Sequence, residues 1–264
     1  FDASKVKKYS QTRYGSATGY GAWSRSDYDY SNNDLIVSFK NGNLTIDSGI
    51  KSSKAFRKGS SDTLTKDNMG IFSQLQLALN NTLYSIGVRK ETVDHKYQPI
   101  SGTGDTKKTK FTAFDIGFNS KLSETTSIFS NYNQAFQSPD VDRYFKIGVY
   151  PALIYDPDLK APKSKTINIG LNYLTNNSKT KATLFRANLE NEFYLCKQAS
   201  AAECSYFGDN TNLDKSHKYG LELQNKYNVN SKLSTNVNYA YTVAKIDSED
   251  KGSGAFNGKT HPMT

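Results

Sequence analysis

The chain of 264 residues has a formal charge of +9, from 34 Lys and Arg against 25 Asp and Glu, and a hydrophobic share of only 36%. Its mean hydropathy of -0.67 would suit a small apolar core or partial disorder in water, yet 18 Tyr and 14 Phe give it enough buriable surface to offset ordering entropy. No run reaches the ~18 to 20 apolar residues of a spanning helix, and the scattered basic residues form no nucleic-acid motif, so the charge reads as a solvated basic surface.

The opening FDASKVKKYS lacks the apolar core of a secretory signal and has no initiating Met, so the chain is expected to be processed or a fragment. The first alternating stretch sets Leu44, Ile46, Ser48 and Ile50 against Thr45, Asp47 and Gly49. Tyr84, Ile86 and Val88 then oppose Ser85, Gly87 and Arg89, and Phe114, Ile116 and Phe118 oppose Asp115, Gly117 and Asn119. From Lys165 on, Ile167, Ile169, Leu171 and Tyr173 share one face, with Asn168, Gly170 and Asn172 on the other. After NNSK, Thr183, Phe185, Ala187 and Leu189 are expected on the apolar side, opposite Arg186, Asn188 and Glu190. Tyr219, Leu221 and Leu223 oppose Gly220, Glu222 and Gln224, and Val237, Tyr239 and Tyr241 oppose Asn236, Asn238 and Ala240. This is the period of half-apolar strands.

Connections sort by length. Tight polar turns fall at Asn41 to Asn43, Asn80 to Thr82, Ser123 to Thr125, Asn176 to Lys179 and Asn230 to Lys232. Between them, long loops of roughly 10 to 27 residues are expected near Arg25 to Asn33, Arg57 to Lys66, Thr92 to Lys108, Gln137 to Lys163 and Asn191 to Ser216. Strict alternation of short and long places all short turns at one end of the strands, which is the layout of an outer-membrane barrel. A soluble sandwich has no reason to sort its loops by length. The expected fold is therefore all-β, an antiparallel up-and-down transmembrane β-barrel. A passive porin-type channel shares that pattern, and a soluble β-sandwich adhesin or surface domain is the alternative outside the membrane.

Several stretches carry a family resemblance. FSNYNQAFQSPDVDRYF (Phe129 to Phe145) resembles the segment of TonB-dependent outer-membrane receptors in which a strand ends in an aromatic-x-x-Pro turn before an acidic-aromatic stretch. DPDLKAPKSKTINIGLNY resembles the loop and Gly-containing strand that follow it, although Pro162 sits one place late, Lys163 replaces a Glu and Asp156 replaces an Asn. NMGIFSQLQLALNNTLYSIGVRKE is similar to a hairpin with a Phe-x-Gln entry and Gly-x-Arg exit, NLDKSHKYGLELQNKY to the strand with a Gly-x-Glu signature, and NGKTHPMT to the entry of a following strand.

The resemblance implies a partial barrel, about 11 strands of a roughly 22-stranded whole with a plugged lumen. Residues 1–264 are then expected to be part of a single β-barrel domain, with the plug, the energy-coupling box and the last strands absent. It further implies a bacterial outer-membrane receptor that takes up an iron complex, siderophore or haem, or a similar scarce nutrient. Expected partners are outer-membrane lipid, a ferric chelate or other small ligand, and TonB acting through the missing plug, with no nucleic acid.

Candidate chemistry is confined to loops. Cys196 and Cys204, an even pair outside the cytosol, favour a disulfide, which would restrict the unfolded chain by roughly 2 to 3 kcal/mol. Their spacing matches neither a zinc site nor a redox Cys-x-x-Cys pair. Arg143, Tyr144, Phe145, Tyr150 and Tyr155 could clasp an anionic aromatic chelate through charge-assisted bonds and flat apolar faces. The same rings would equally pack the loop or join an interfacial aromatic girdle. His95, His217 and His261 lie in separate segments and read as solvated side chains, although His95 could assist a metal complex. Paired catalytic carboxylates, a Gly-x-Ser-x-Gly elbow, a P-loop and an EF-hand are missing, so neither enzyme activity nor a cofactor is expected.

Overall fold

Alternation of apolar and polar residues is converted into one continuous β-sheet. The computed structural model describes residues 2–12, 15–16, 19–20, 24–141, 145–147, 153–155, 159–195, 210–248 and 256–260. Its strands are β1 (Asp2–Thr12), β2 (Gly15–Ser16), β3 (Gly19–Tyr20), β4 (Ser24–Asn41), β5 (Leu44–Lys58), β6 (Asp62–Leu79), β7 (Thr82–Pro99) and β8 (Asp105–Lys121). They continue with β9 (Thr126–Phe136), β10 (Phe145–Ile147), β11 (Leu153–Tyr155), β12 (Lys163–Leu174), β13 (Ser178–Leu195), β14 (Asn210–Asn228) and β15 (Ser234–Ser248). Eleven of these form a single sheet in the order β1-β4-β5-β6-β7-β8-β9-β12-β13-β14-β15, every neighbour antiparallel and every step up-and-down. β2-β3 and β10-β11 are separate two-stranded ribbons within connections.

Residues paired across an antiparallel ladder share a face, so the register gives the faces directly. One row runs Phe39, Ile46, Leu75, Ile86, Ile116, Tyr132, Ile167 across β4 to β12. The next runs Leu44, Leu77, Tyr84, Phe118, Ser130, Ile169, Leu184, Leu221, Tyr241. On the opposite face lies Ser85, Gly117, Asn131, Asn168, Phe185, Gly220, Thr242.

The apolar rows are the more exposed ones. Ile169 is 56% exposed and Leu184 61%, whereas Asn168 and Gly170 on the other face are partly covered. Among the described residues no second sheet packs on the apolar rows, which removes the sandwich reading, since a sandwich buries such rows between sheets. The arrangement is that of a barrel wall with its greasy side out and its amides toward a wet interior.

Two expectations need correction. Arg25 to Asn33, Arg57 to Lys66 and Thr92 to Lys108 are mostly strand, leaving connections of only 59–61 and 100–104 between β5, β6, β7 and β8. Strands here reach 17 to 19 residues, well beyond the ~9 to 11 that cross a bilayer, so their far ends stand in water. There both faces are polar and the period-2 signal vanishes. The second correction concerns β13, where Phe185 pairs with Asn168 and Gly220 on the polar face, and Leu184 and Arg186 lie on the apolar side. The ring has room because residue 220 lacks a side chain: a Cβ there would come within 3.0 Å of Phe185. Gly49 makes the same space for Phe72, 2.7 Å from where its Cβ would be. Aromatic rings over cross-strand glycines thus tile part of the inner wall.

Candidate functional site

The connection between β9 and β12 crosses the inner face at the end opposite the short turns. Its neck is closed where the Gln137 amide donates to the Pro162 carbonyl at 2.9 Å. Beyond the neck the chain reaches back over the neighbouring strands. Lys66 of β6 donates from Nζ to the Ser138 carbonyl at 3.3 Å, and His95 Nε2 of β7 lies 3.3 Å from the Pro139 carbonyl. Val141, fully buried, packs with Tyr28, Ala55 and Leu64 of β4, β5 and β6, flanked by Tyr30 and Tyr97.

The returning limb is held from the other side. Lys107 of β8 donates to the Leu159 carbonyl at 3.3 Å. Asn212 of β14 treats Lys160 as a strand would: its Oδ1 accepts from the Lys160 amide at 2.8 Å, and its Nδ2 donates to the Lys160 carbonyl at 3.0 Å and the Asn191 carbonyl at 2.8 Å. One loop is therefore tied to strands from β4 to β14, across most of the sheet.

Burial shapes the charge state of these anchors. Desolvation, with Lys66 nearby, lowers the His95 pKa from 6.5 to about 4, so at neutral pH the ring is uncharged and Nε2–H can donate to the Pro139 carbonyl. Burial likewise pulls Lys66 down, opposed by Asp140 and Glu91. Beside them Arg57 pairs with Asp62 at 2.9 Å, both buried, and burial followed by the Asp62 charge raises the Tyr97 phenol. Deeper in the wall lie further inward pairs: Arg89 with Glu91, Lys51 with Asp34 at 3.0 Å, and Lys218 with Glu192 at 2.8 Å.

Of the residues singled out from the sequence, Phe145 and Tyr155 are register partners in the β10-β11 ribbon within this loop. Arg143, Tyr144 and Tyr150 lie outside the described residues, as do Cys196, Cys204 and His261. His95 is not a solvated side chain but a fully buried anchor. His217 lies 2.7 Å from Asp247, and among the described residues no cluster of His, Cys, Asp and Glu could hold a metal. The loop anchors Lys66, Lys107 and Asn212 escape sequence reading because all three lie in strand ends that read as loops.

A membrane-spanning β-barrel with a loop bound across one mouth is the class these features define. The sequence profile described as TonB dependent receptor-like, beta-barrel matches residues 3–263, and the chain belongs to that family. Its members are transport proteins of the bacterial outer membrane, not enzymes. The copper transporter OprC is similar in structure, with a TM-score of 0.71 and 16% identity over 87% of this chain and 40% of that one. The ferric yersiniabactin uptake receptor FyuA of Yersinia pestis gives a TM-score of 0.69 and 14% identity over 94% of this chain and 40% of its own. For the FrpB iron transporter of Neisseria meningitidis, F5-1 variant, the values are 0.68, 15%, 92% and 41%. At such identities the likeness shows the fold, and the chain spans about 40% of the length of these structures. No curated protein matches the sequence. Barrels of the outer membrane have short periplasmic turns, which places the 42–43, 80–81, 122–125, 175–177 and 229–233 turns in the periplasm and the anchored loop outside the cell.

Proposed function

We propose that this chain is part of the single β-barrel domain of a receptor that imports a metal chelate, such as a ferric siderophore or haem, or a similar scarce nutrient. In this reading TonB supplies the energy through a plug domain outside these 264 residues, and the ligand is met first at the extracellular mouth. One observation carries it: the β9-β12 loop is bound across that mouth by Lys66, His95, Lys107 and Asn212. A loop so placed can present Arg143, Tyr144, Phe145, Tyr150 and Tyr155 to an incoming anionic, aromatic chelate. Cys196 and Cys204 are proposed to close a disulfide in the neighbouring loop. Growth of a deletion strain on defined ferric siderophores and haem tests the reading. Loss of growth on at least one chelate, restored by the wild-type gene but not by Arg143→Ala with Tyr150→Ala, is the expected result. Unaltered growth on every scarce metal source and on cobalamin contradicts it.

A further inference from the structure

The outward face carries a charge asymmetry that neither transport nor ligand binding uses. On six strands the apolar band ends, toward the extracellular side, in a basic residue on the same face. Lys90 follows Val88 on β7, Lys165 precedes Ile167 on β12, Arg186 follows Leu184 on β13 and Lys245 follows Val243 on β15. On β8 and β14, Lys110 and Lys215 stand four residues from Phe114 and Tyr219. At ~3.3 Å per residue, all six charges fall within roughly 7 to 14 Å of the apolar edge.

Register sets Lys165 level with His217 and Lys245, with Arg186 one row nearer the apolar band and Lys215 one row further out. All six are exposed. Of the acidic residues on this part of the face, Asp94 pairs with Lys108 at 3.6 Å and Asp247 with His217, while Glu190 stands opposite Lys163 and Lys215 in the ladder. Among the described residues none of the six makes an ion pair, and Arg186 donates only to Asn188 at 3.3 Å. The periplasmic edge of the same face is different: Thr82, Ser120, Thr180, Asn225 and Thr235 carry no charge.

We propose that this basic girdle binds the phosphate groups of lipid headgroups in the outer leaflet of the outer membrane. Lysine stems can lie along the apolar edge while their ammonium groups reach the headgroup level, and adjacent strands space those groups so that one multiply phosphorylated headgroup bridges several. Uncharged hydroxyls suffice at the opposite leaflet. The proposal rests on the outer-membrane barrel and stands whether or not the transported ligand is a metal chelate.

The test uses the full-length receptor in detergent, titrated with fluorescent bis-phosphorylated lipid A and with its phosphate-free form. The phosphorylated lipid is expected to bind about tenfold or more tightly, a preference that fades in ~1 M salt as surface charges are screened. Combining Lys90→Ser, Lys110→Ser, Lys165→Ser and Lys245→Ser should reduce the ratio to about one, and the matching arginine set should keep it. The lumenal Lys181→Ser, on the face opposite the girdle, should leave it unchanged. Equal binding of the two lipids by the wild-type receptor, or a salt-insensitive preference, overturns the proposal without recourse to any variant.

Discussion

His95 shows how one buried ring can set the stability of a loop. Docked, it stays neutral down to about pH 4, because desolvation and the Lys66 and Lys107 charges oppose protonation more than the Pro139 carbonyl and Asp140 favour it. When the loop lifts, the ring meets water and its pKa returns toward 6.5, so the open state takes up a proton the docked state refuses. Docking should therefore be strongest above pH 6.5, weaken by up to about 1.4 kcal/mol per pH unit on falling toward 4, and level off below. Hydrogen exchange at the amides of Ser138, Asp140 and Val141, corrected for intrinsic rates, measures this, and His95→Gln should flatten the profile. Asn212 supplies a second check. Its side chain satisfies both part-buried peptide groups of Lys160, and leaving such groups unpaired costs ~1 to 3 kcal/mol. Asn212→Ala should speed exchange at Lys160 by at least tenfold while the strand amides of β12 and β13 keep their protection.

At the scale of the strand, the two faces of β12 should respond oppositely to charge. Ile169 sits in the middle of an apolar row and Asn168 in an amide row. Ile169→Arg should destabilise the barrel by ~2 to 4 kcal/mol, the cost of a cation at bilayer mid-depth, and Asn168→Lys by less than ~1. Urea titration of the receptor folded in phospholipid vesicles, read by heat-modifiable gel mobility, separates these outcomes. Gly170→Val should be worse than its apolar gain suggests, because its Cβ would collide with the Phe129 ring and the Ala182 carbonyl.

The same strands explain what could be read in advance. In β5, β7, β8, β12, β14 and β15 one side of the membrane segment meets hydrocarbon and the other meets water, so alternation marked both strand and face. That logic misplaced Phe185, because an aromatic ring can face the interior where the opposing residue is glycine. It also failed above the membrane, where Lys54, Lys66, Asp94 and Lys107 follow no apolar rhythm although they lie in β5 to β8. The loop contacts were hidden for a different reason. Val141, just past β9, meets Leu64 of β6 over the inner face of β7 and β8, and no local pattern encodes a contact of that sequence separation.

For the whole molecule orientation is what matters: apolar rows toward lipid, amide rows and ion pairs toward water, with an anchored loop at the extracellular mouth. The wall, the anchors and the basic girdle all follow from that assignment. Spin labels placed one at a time from position 167 to 172, with Cys196 and Cys204 replaced by Ser and the receptor in bilayers, test it most directly. Accessibility to oxygen should peak at positions 167, 169 and 171, and accessibility to a water-soluble nickel chelate at 168, 170 and 172. A reversed phase, or equal access to the chelate on both faces, would contradict the account.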